Sequence, residues 1–122
     1  MDVLVNLDVD DLEKAARFYS AAFDLNVGRR FGTFAVELLG TSTPFYLLVQ
    51  KTGTTATAAG HPRMYERHWT PVHLDFVVDD IDAAVERALA AGAKLEKPAA
   101  LRPRLLLHPV PRPRYDEIAD RN

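Results

Sequence analysis

Val72-His73-Leu74-Asp75-Phe76-Val77-Val78-Asp79-Asp80 has the form of a strand running into a helix cap, and the chain carries that form twice. Shifted by 69 positions, Leu4-Val5-Asn6-Leu7-Asp8-Val9-Asp10-Asp11-Leu12 lies over His73 to Ile81. Val9, Asp10, Asp11, Ala15, Ala21 and Ala22 then meet Val78, Asp79, Asp80, Ala84, Ala90 and Ala91 as identities. Two copies are too few for a solenoid. They predict two pseudo-symmetric halves of one domain, each opening strand, double aspartate, alanine-rich helix.

Working outward, Val3, Val5, Leu7 and Val9 alternate with Leu4, Asn6 and Asp8, the period of a half-buried strand. Asp10 or Asp11 caps the next helix, with Glu13 at capping-box spacing from Asp10. Leu12, Ala15, Ala16, Tyr19, Ala22 and Phe23 form its apolar stripe, and Asn26 and Gly28 are expected to end it. Short turns then separate three strands over 29–31, 34–39 and 44–50, so the first half reads βαβββ. Glu37 points away from the face formed by Phe34, Val36 and Leu38.

Residues 51–70 form the linker. Its first part is small and flexible in composition. Its second, His61 to Trp69, gathers aromatic and basic side chains. A loop packing its rings over a sheet edge and a pocket lid or dimer contact both fit such a segment. In the second half, Val72, Leu74, Phe76 and Val78 take one face of a strand, while His73, Asp75 and Val77 take the other. Asp79 or Asp80 caps a helix with the stripe Ile81, Ala84, Val85, Ala88 and Leu89, and Gly92 stops it. The repeat then fails. Pro103, Pro109, Pro111 and Pro113 cannot sit inside a central strand, so only 104–108 is expected to pair.

The bulk properties exclude several classes. The chain has 122 residues, 48% apolar and 26% charged, with a net charge of -2. That suits one soluble domain and gives no reason to expect nucleic acid or an anionic membrane as partner. The absence of cysteine excludes disulfides and thiolate chemistry. No apolar run approaches the roughly 20 residues a bilayer requires, and Met1-Asp2-Val3-Leu4 lacks a signal peptide's basic region. A cytoplasmic protein is the expectation.

The paired modules resemble the vicinal oxygen chelate superfamily, which includes glyoxalase I, bleomycin resistance proteins, fosfomycin-modifying enzymes and extradiol dioxygenases. The resemblance rests on Leu7-Asp8-Val9-Asp10-Asp11-Leu12-Glu13-Lys14-Ala15 with Phe18-Tyr19, and on His73 to Asp80. It implies an α+β fold: two pseudo-symmetric βαβββ modules forming curved mixed sheets with flanking helices, the second module incomplete. The whole chain, 1–122, is then a single glyoxalase/bleomycin-resistance-like domain. Module one is 1–50, the linker 51–70 and module two 71–122, with an atypical tail over 98–122.

In metal-dependent members, His, Gln and Glu from four strands hold a divalent ion. Of those four positions His73 matches one. Leu4 and Leu47 occupy two others, and the tail offers no fourth. A first-row ion normally needs three or four protein ligands, so no metal site and no cofactor are expected. The resemblance thus implies a metal-independent small-molecule binding protein, with a small organic ligand and a second copy of the chain as partners. Two alternatives stand beside it: a metal-dependent lyase or dioxygenase using His73 and Glu37, and a non-catalytic dimerising module. Glu37 also fits a plainer role, an ion pair with Arg29 or Arg30. Catalysis is left open, with His73 the one candidate. Alternation places Asn6, His73 and Asp75 in the cavity, and Tyr46, Tyr65 and Trp69 are available to line it.

The tail motivates a further hypothesis. Family members commonly end on an apolar strand after a Gly-His-Gly-like turn. GC-rich codons for Gly-His-Gly-Phe-Cys-Phe-Ile-Gln-Phe-Arg-Gly-Arg-Gly, read two nucleotides later, give the sequence found from Pro103 to Arg114. Residues 101–114 therefore read as a frameshift product, with the frame restored at Tyr115.

Overall fold

The computed structural model describes residues 1–66, 70–95 and 107–109. The chain is a mixed α+β protein that divides into two compact units, Met1–Trp69 and Thr70–Asn122. The division falls at the end of the expected linker.

In the first unit, β1 (Val5–Val9), α1 (Leu12–Phe23), β2 (Asn26–Phe31), β3 (Ala35–Leu39) and β4 (Phe45–Val49) give the βαβββ order. The sheet order is β1-β4-β3-β2. β1 pairs with β4 in parallel, while β4–β3 and β3–β2 are antiparallel. The crossover that makes the parallel pairing possible runs through α1, β2 and β3. Asp11, in extended conformation, is its N-cap: its Oδ1 accepts from the Lys14 N–H at 3.0 Å. Asp10 and Glu13 therefore form no capping box. Asp10 Oδ1 instead accepts from the Thr52 N–H, and Glu13 pairs with Arg30 at 2.7 Å.

The helix ends earlier than the sequence suggests. Asp24 takes the left-handed conformation (φ 53°) and its N–H bonds the Ser20 carbonyl. Aspartate tolerates that region better than most side chains, so no glycine is needed and Asn26 is free to open β2. Gly28 serves the sheet instead. Between Val27 and Arg30 the β2–β3 register shifts, so that Gly28 and Arg29 oppose Glu37 in a bulge. A Cβ at Gly28 would stand 2.6 Å from Glu37 Oε1, so only glycine leaves room for that carboxylate.

One face of the sheet packs on α1. Val36, Leu38 and Leu47 are the fully buried centre, joined by Phe45, Leu12, Ala16 and Ala22. Tyr19 stacks on Phe23 and tilts against Phe45, which extends the cluster along the helix. Phe34, expected on this face, lies in the β2–β3 turn and is exposed.

Residues 51–66 are more ordered than their composition implies. Thr55 bridges Pro62, Gly53 N–H bonds the Arg63 carbonyl, and Arg63 N–H bonds the Thr54 carbonyl.

In the second unit, β5 (Phe76–Val78) is shorter than the strand expected over 72–78. It leads into α2 (Ile81–Ala90), capped by Asp80 through Ala83 N–H at 3.1 Å. Gly92 follows with φ 106°. β6 (Leu107–Pro109) pairs in parallel with β5, repeating the β1–β4 arrangement. Pro109 ends a strand of a two-stranded sheet, where a missing donor is tolerated. The strand expected from residue 93 is absent over 93–95. Residue 96, Trp69 and the rest of the tail lie outside the described residues.

Candidate functional site

The face of the first unit's sheet opposite α1 carries the unusual chemistry. Pairing register puts Asn6, Tyr46 and Glu37 in one row across β1, β4 and β3. On β2, Arg29 joins the row from the bulge, and Phe31, the register partner of Ala35, stands beside it on the same face. Glu37 is only 5% exposed, a position that demands partners for a carboxylate.

Arg29 supplies most of them. Its Nη2 donates to Glu37 Oε2 at 2.8 Å, and its Nε lies 3.2 Å from both carboxylate oxygens. Its backbone N–H donates to Oε1 at 3.2 Å, a bond the bulge makes available. Tyr46 Oη donates to Oε2 at 2.9 Å and accepts from Arg29 Nη2 at 3.3 Å. The side-chain and backbone hydrogen bonds from Arg29 hold the Glu37 carboxyl at about 2, well below its usual 4.5, against the opposing effect of burial. The same pairing raises the Arg29 pKa.

The guanidinium is held from a second side as well. Arg29 Cζ lies 5.4 Å from the centre of the Phe31 ring, which is 6.3 Å from that of Tyr46 at 51°. Arg30, one residue on, faces α1 and takes Glu13, so the bulge assigns the two arginines to opposite faces.

The 51–66 loop borders this face at β1. Arg63 Nε donates to Asp8 Oδ2 at 2.9 Å and its Nη1 to the Thr55 carbonyl at 2.6 Å. Tyr65 Oη donates to the Gln50 carbonyl at 2.6 Å, leaving its ring partly exposed. Burial, then the Asp8 carboxylate, raise the Tyr65 pKa.

Of the expected site residues, Asn6 and Tyr46 are therefore register partners on one face, and Tyr65 sits on the bordering loop. His73 and Asp75 belong to the second unit, exposed on the stretch leading into β5. Trp69 lies outside the described residues. Leu47, aligned with a metal-ligand position, points into the core beneath α1, and Tyr46 and Leu48 present the open face instead. Arg29 was not among the expected site residues. The sequence signal for it was the pairing left open between Glu37 and either arginine.

On this face of the first unit the side chains present do not make a metal donor set. Glu37 is committed to Arg29 and Tyr46, Leu4 and Leu47 coordinate nothing, and the described residues contain no group of three or more His, Asp or Glu placed for an ion. A separate cavity of about 420 Å³ opens at the start of α1 between Asp11, Glu13 and Lys51. Its charges are already used: Glu13 by Arg30, Asp11 by the cap, and Lys51 by the Asp10 carbonyl at 2.9 Å.

Solved structures share this fold. A mutant of the fosfomycin resistance protein FosX from Listeria monocytogenes, complexed with Mn(II) and a dihydroxypropylphosphonic acid, aligns with a TM-score of 0.61 at 19% identity. The alignment covers 86% of this chain and 72% of that one. Lactoylglutathione lyase from Agrobacterium tumefaciens aligns at 0.52 and 22% identity, covering 80% and 74%. TioX from Micromonospora sp. ML1 aligns at 0.51 and 19%, covering 80% and 77%. At these identities the likeness is one of fold. No curated protein sequence matches the chain. The model of the glyoxalase-like domain matches residues 4–114, nearly the whole length, and with the βαβββ unit and these neighbours it places the chain in the glyoxalase-like domain family of the vicinal oxygen chelate superfamily.

Proposed function

We propose that the chain is a metal-independent small-molecule binding protein of the glyoxalase and bleomycin-resistance type. The observation that carries this reading is the fate of Glu37. It is the one buried carboxylate among the described residues, and five donor contacts from Arg29 and Tyr46 take up both its oxygens. A carboxylate so engaged binds a cation poorly. What the face offers instead is aromatic and apolar surface with a few fixed polar groups, the usual lining of a small-ligand site.

His73 and Asp75, exposed in the second unit, are also proposed as ligand-contacting side chains. Pairing of two copies is also part of the proposal. β2 is a sheet edge with Val27 and Phe31 each 42% exposed, and such edges favour association. No helix among the described residues is long and apolar enough to cross a membrane.

Calorimetric titration of metal-stripped protein with Ni, Zn, Mn and Fe(II), beside His73→Ala, tests the reading. The expected outcome is no His73-dependent binding, together with thermal stabilisation by members of a small aromatic ligand panel. Tight, His73-dependent binding near one ion per chain would overturn it in favour of a metal-dependent lyase or dioxygenase. Neither metal nor ligand binding would leave a non-catalytic dimerising module.

A further inference from the structure

We propose that the open sheet face takes a planar, largely apolar ligand through an acceptor oxygen, carbonyl or carboxylate, bound by the outer amino group of Arg29. The proposal rests on the small-molecule-binding reading above and specifies the ligand's chemistry.

The polarity of the Arg29–Glu37–Tyr46 cluster is one-sided. A guanidinium carries five N–H donors. Here Nε and Nη2 are spent on Glu37 and Tyr46, while Nη1 donates to none of the described residues. Both Glu37 oxygens are occupied, and the Tyr46 proton goes to Glu37. The cluster therefore has donors to give and no carboxylate oxygen to offer. Its carboxylate is 7% exposed in its side chain, whereas the Arg29 side chain is 67% exposed, so a ligand meets the guanidinium and not the acid.

That donor is also pre-organised. The fork on Glu37 and the ring of Phe31 fix the guanidinium plane before any ligand arrives, which lowers the ordering cost of binding. The surroundings suit a flat apolar body. Phe31 and Leu39 are each 42% exposed and Leu4 58%, while the Tyr46 ring adjoins Phe31. An ammonium group finds no buried anion to meet on this face: Glu37 is covered, and Asp8 is held by Arg63.

The test uses three naphthalenes substituted at one position by carboxylate, methyl ketone or aminomethyl, titrated into the full chain while the Arg29 Nε–H resonance is followed by NMR. The carboxylate and ketone are expected to bind and shift that resonance, and the amine to bind at least about tenfold more weakly, the worth of one charge-assisted hydrogen bond. Arg29→Gln alone would strand Glu37, so the paired variant Arg29→Gln with Glu37→Gln is used. It should lose about the same factor toward the two acceptor ligands. Phe31→Leu, which leaves the ion pair intact, should weaken all three. Equal binding of the amine, or binding that leaves the Arg29 resonance unmoved, would overturn the inference while leaving a binding protein. Failure of every naphthalene to bind would overturn this inference alone, because the binding reading is decided by the metal titration and the ligand panel.

Discussion

Leu47→Ala is the substitution that separates the two faces of the sheet most sharply. Leu47 is 0% exposed on β4, a central strand, with Leu7 and Val36 as register partners beneath α1. Truncation removes three carbons, about 2.4 kcal/mol of transfer free energy at ~0.8 per methylene. The cavity left between helix and sheet adds to this, giving about 3–4 kcal/mol. In a small domain that lowers the melting temperature by about 10–20 °C. Leu48, one residue on, is half-buried on the opposite face, so Leu48→Ala should cost no more than about half as much. Leu47→Met, which conserves volume, should cost less than about 1.5 kcal/mol. Urea unfolding followed by circular dichroism reads all three. Equal losses at the two positions, or a larger one from Leu48→Ala, would refute the assignment of faces and return Leu47 to the cavity.

Acid titration probes the ion pair. Because folding depresses the Glu37 carboxyl from 4.5 to about 2, its contribution to stability is complete above 4.5 and disappears as pH falls from there through about 2. Denaturation midpoints measured between pH 6 and 2 should fall along that window, and Glu37→Gln should flatten the fall. Replacing either helix cap, Asp11→Ala or Asp80→Ala, should cost about 1 kcal/mol through the lost bonds to Lys14 and Ala83 N–H; a loss near zero in urea unfolding would show that the caps contribute nothing. The frameshift hypothesis predicts paired insertions or deletions flanking codons 103–114 when the source gene is compared with close relatives, and clean, collinear DNA would dispose of it.

The parts legible in the sequence are those governed by local rules. Alternation marked β1, three- and four-residue spacing marked α1 and α2, and the aspartate pairs 10–11 and 79–80 marked their starts without saying which of each pair is the cap, because each signal lies within a few residues of what it specifies. Register was harder. Tyr46, Leu47 and Leu48 are all apolar or aromatic, so periodicity alone could not say which faces the core, and a slip of one residue exchanges the faces. The bulge at 28–29 was invisible for a different reason: its cause, the Glu37 carboxylate, comes from the neighbouring strand. For the same reason the choice of Arg29 over Arg30 as its partner waited on the structure. The early end of α1 was missed because an aspartate, not a glycine, takes the left-handed position.

The parallel pairing of β1 with β4 has a consequence for the order of assembly. Val5 cannot meet Phe45 until the intervening helix and two strands have been made and the chain has closed on itself, whereas β3 and β4 join across a short turn. Closing the longer loop costs more entropy before any contact rewards it. The β3–β4 hairpin should therefore be formed in the folding transition state, and β1 should be among the last strands of this sheet to dock. Mutations in β1 should chiefly speed unfolding and those in β3–β4 slow folding, and the reverse pattern in stopped-flow kinetics would contradict that order.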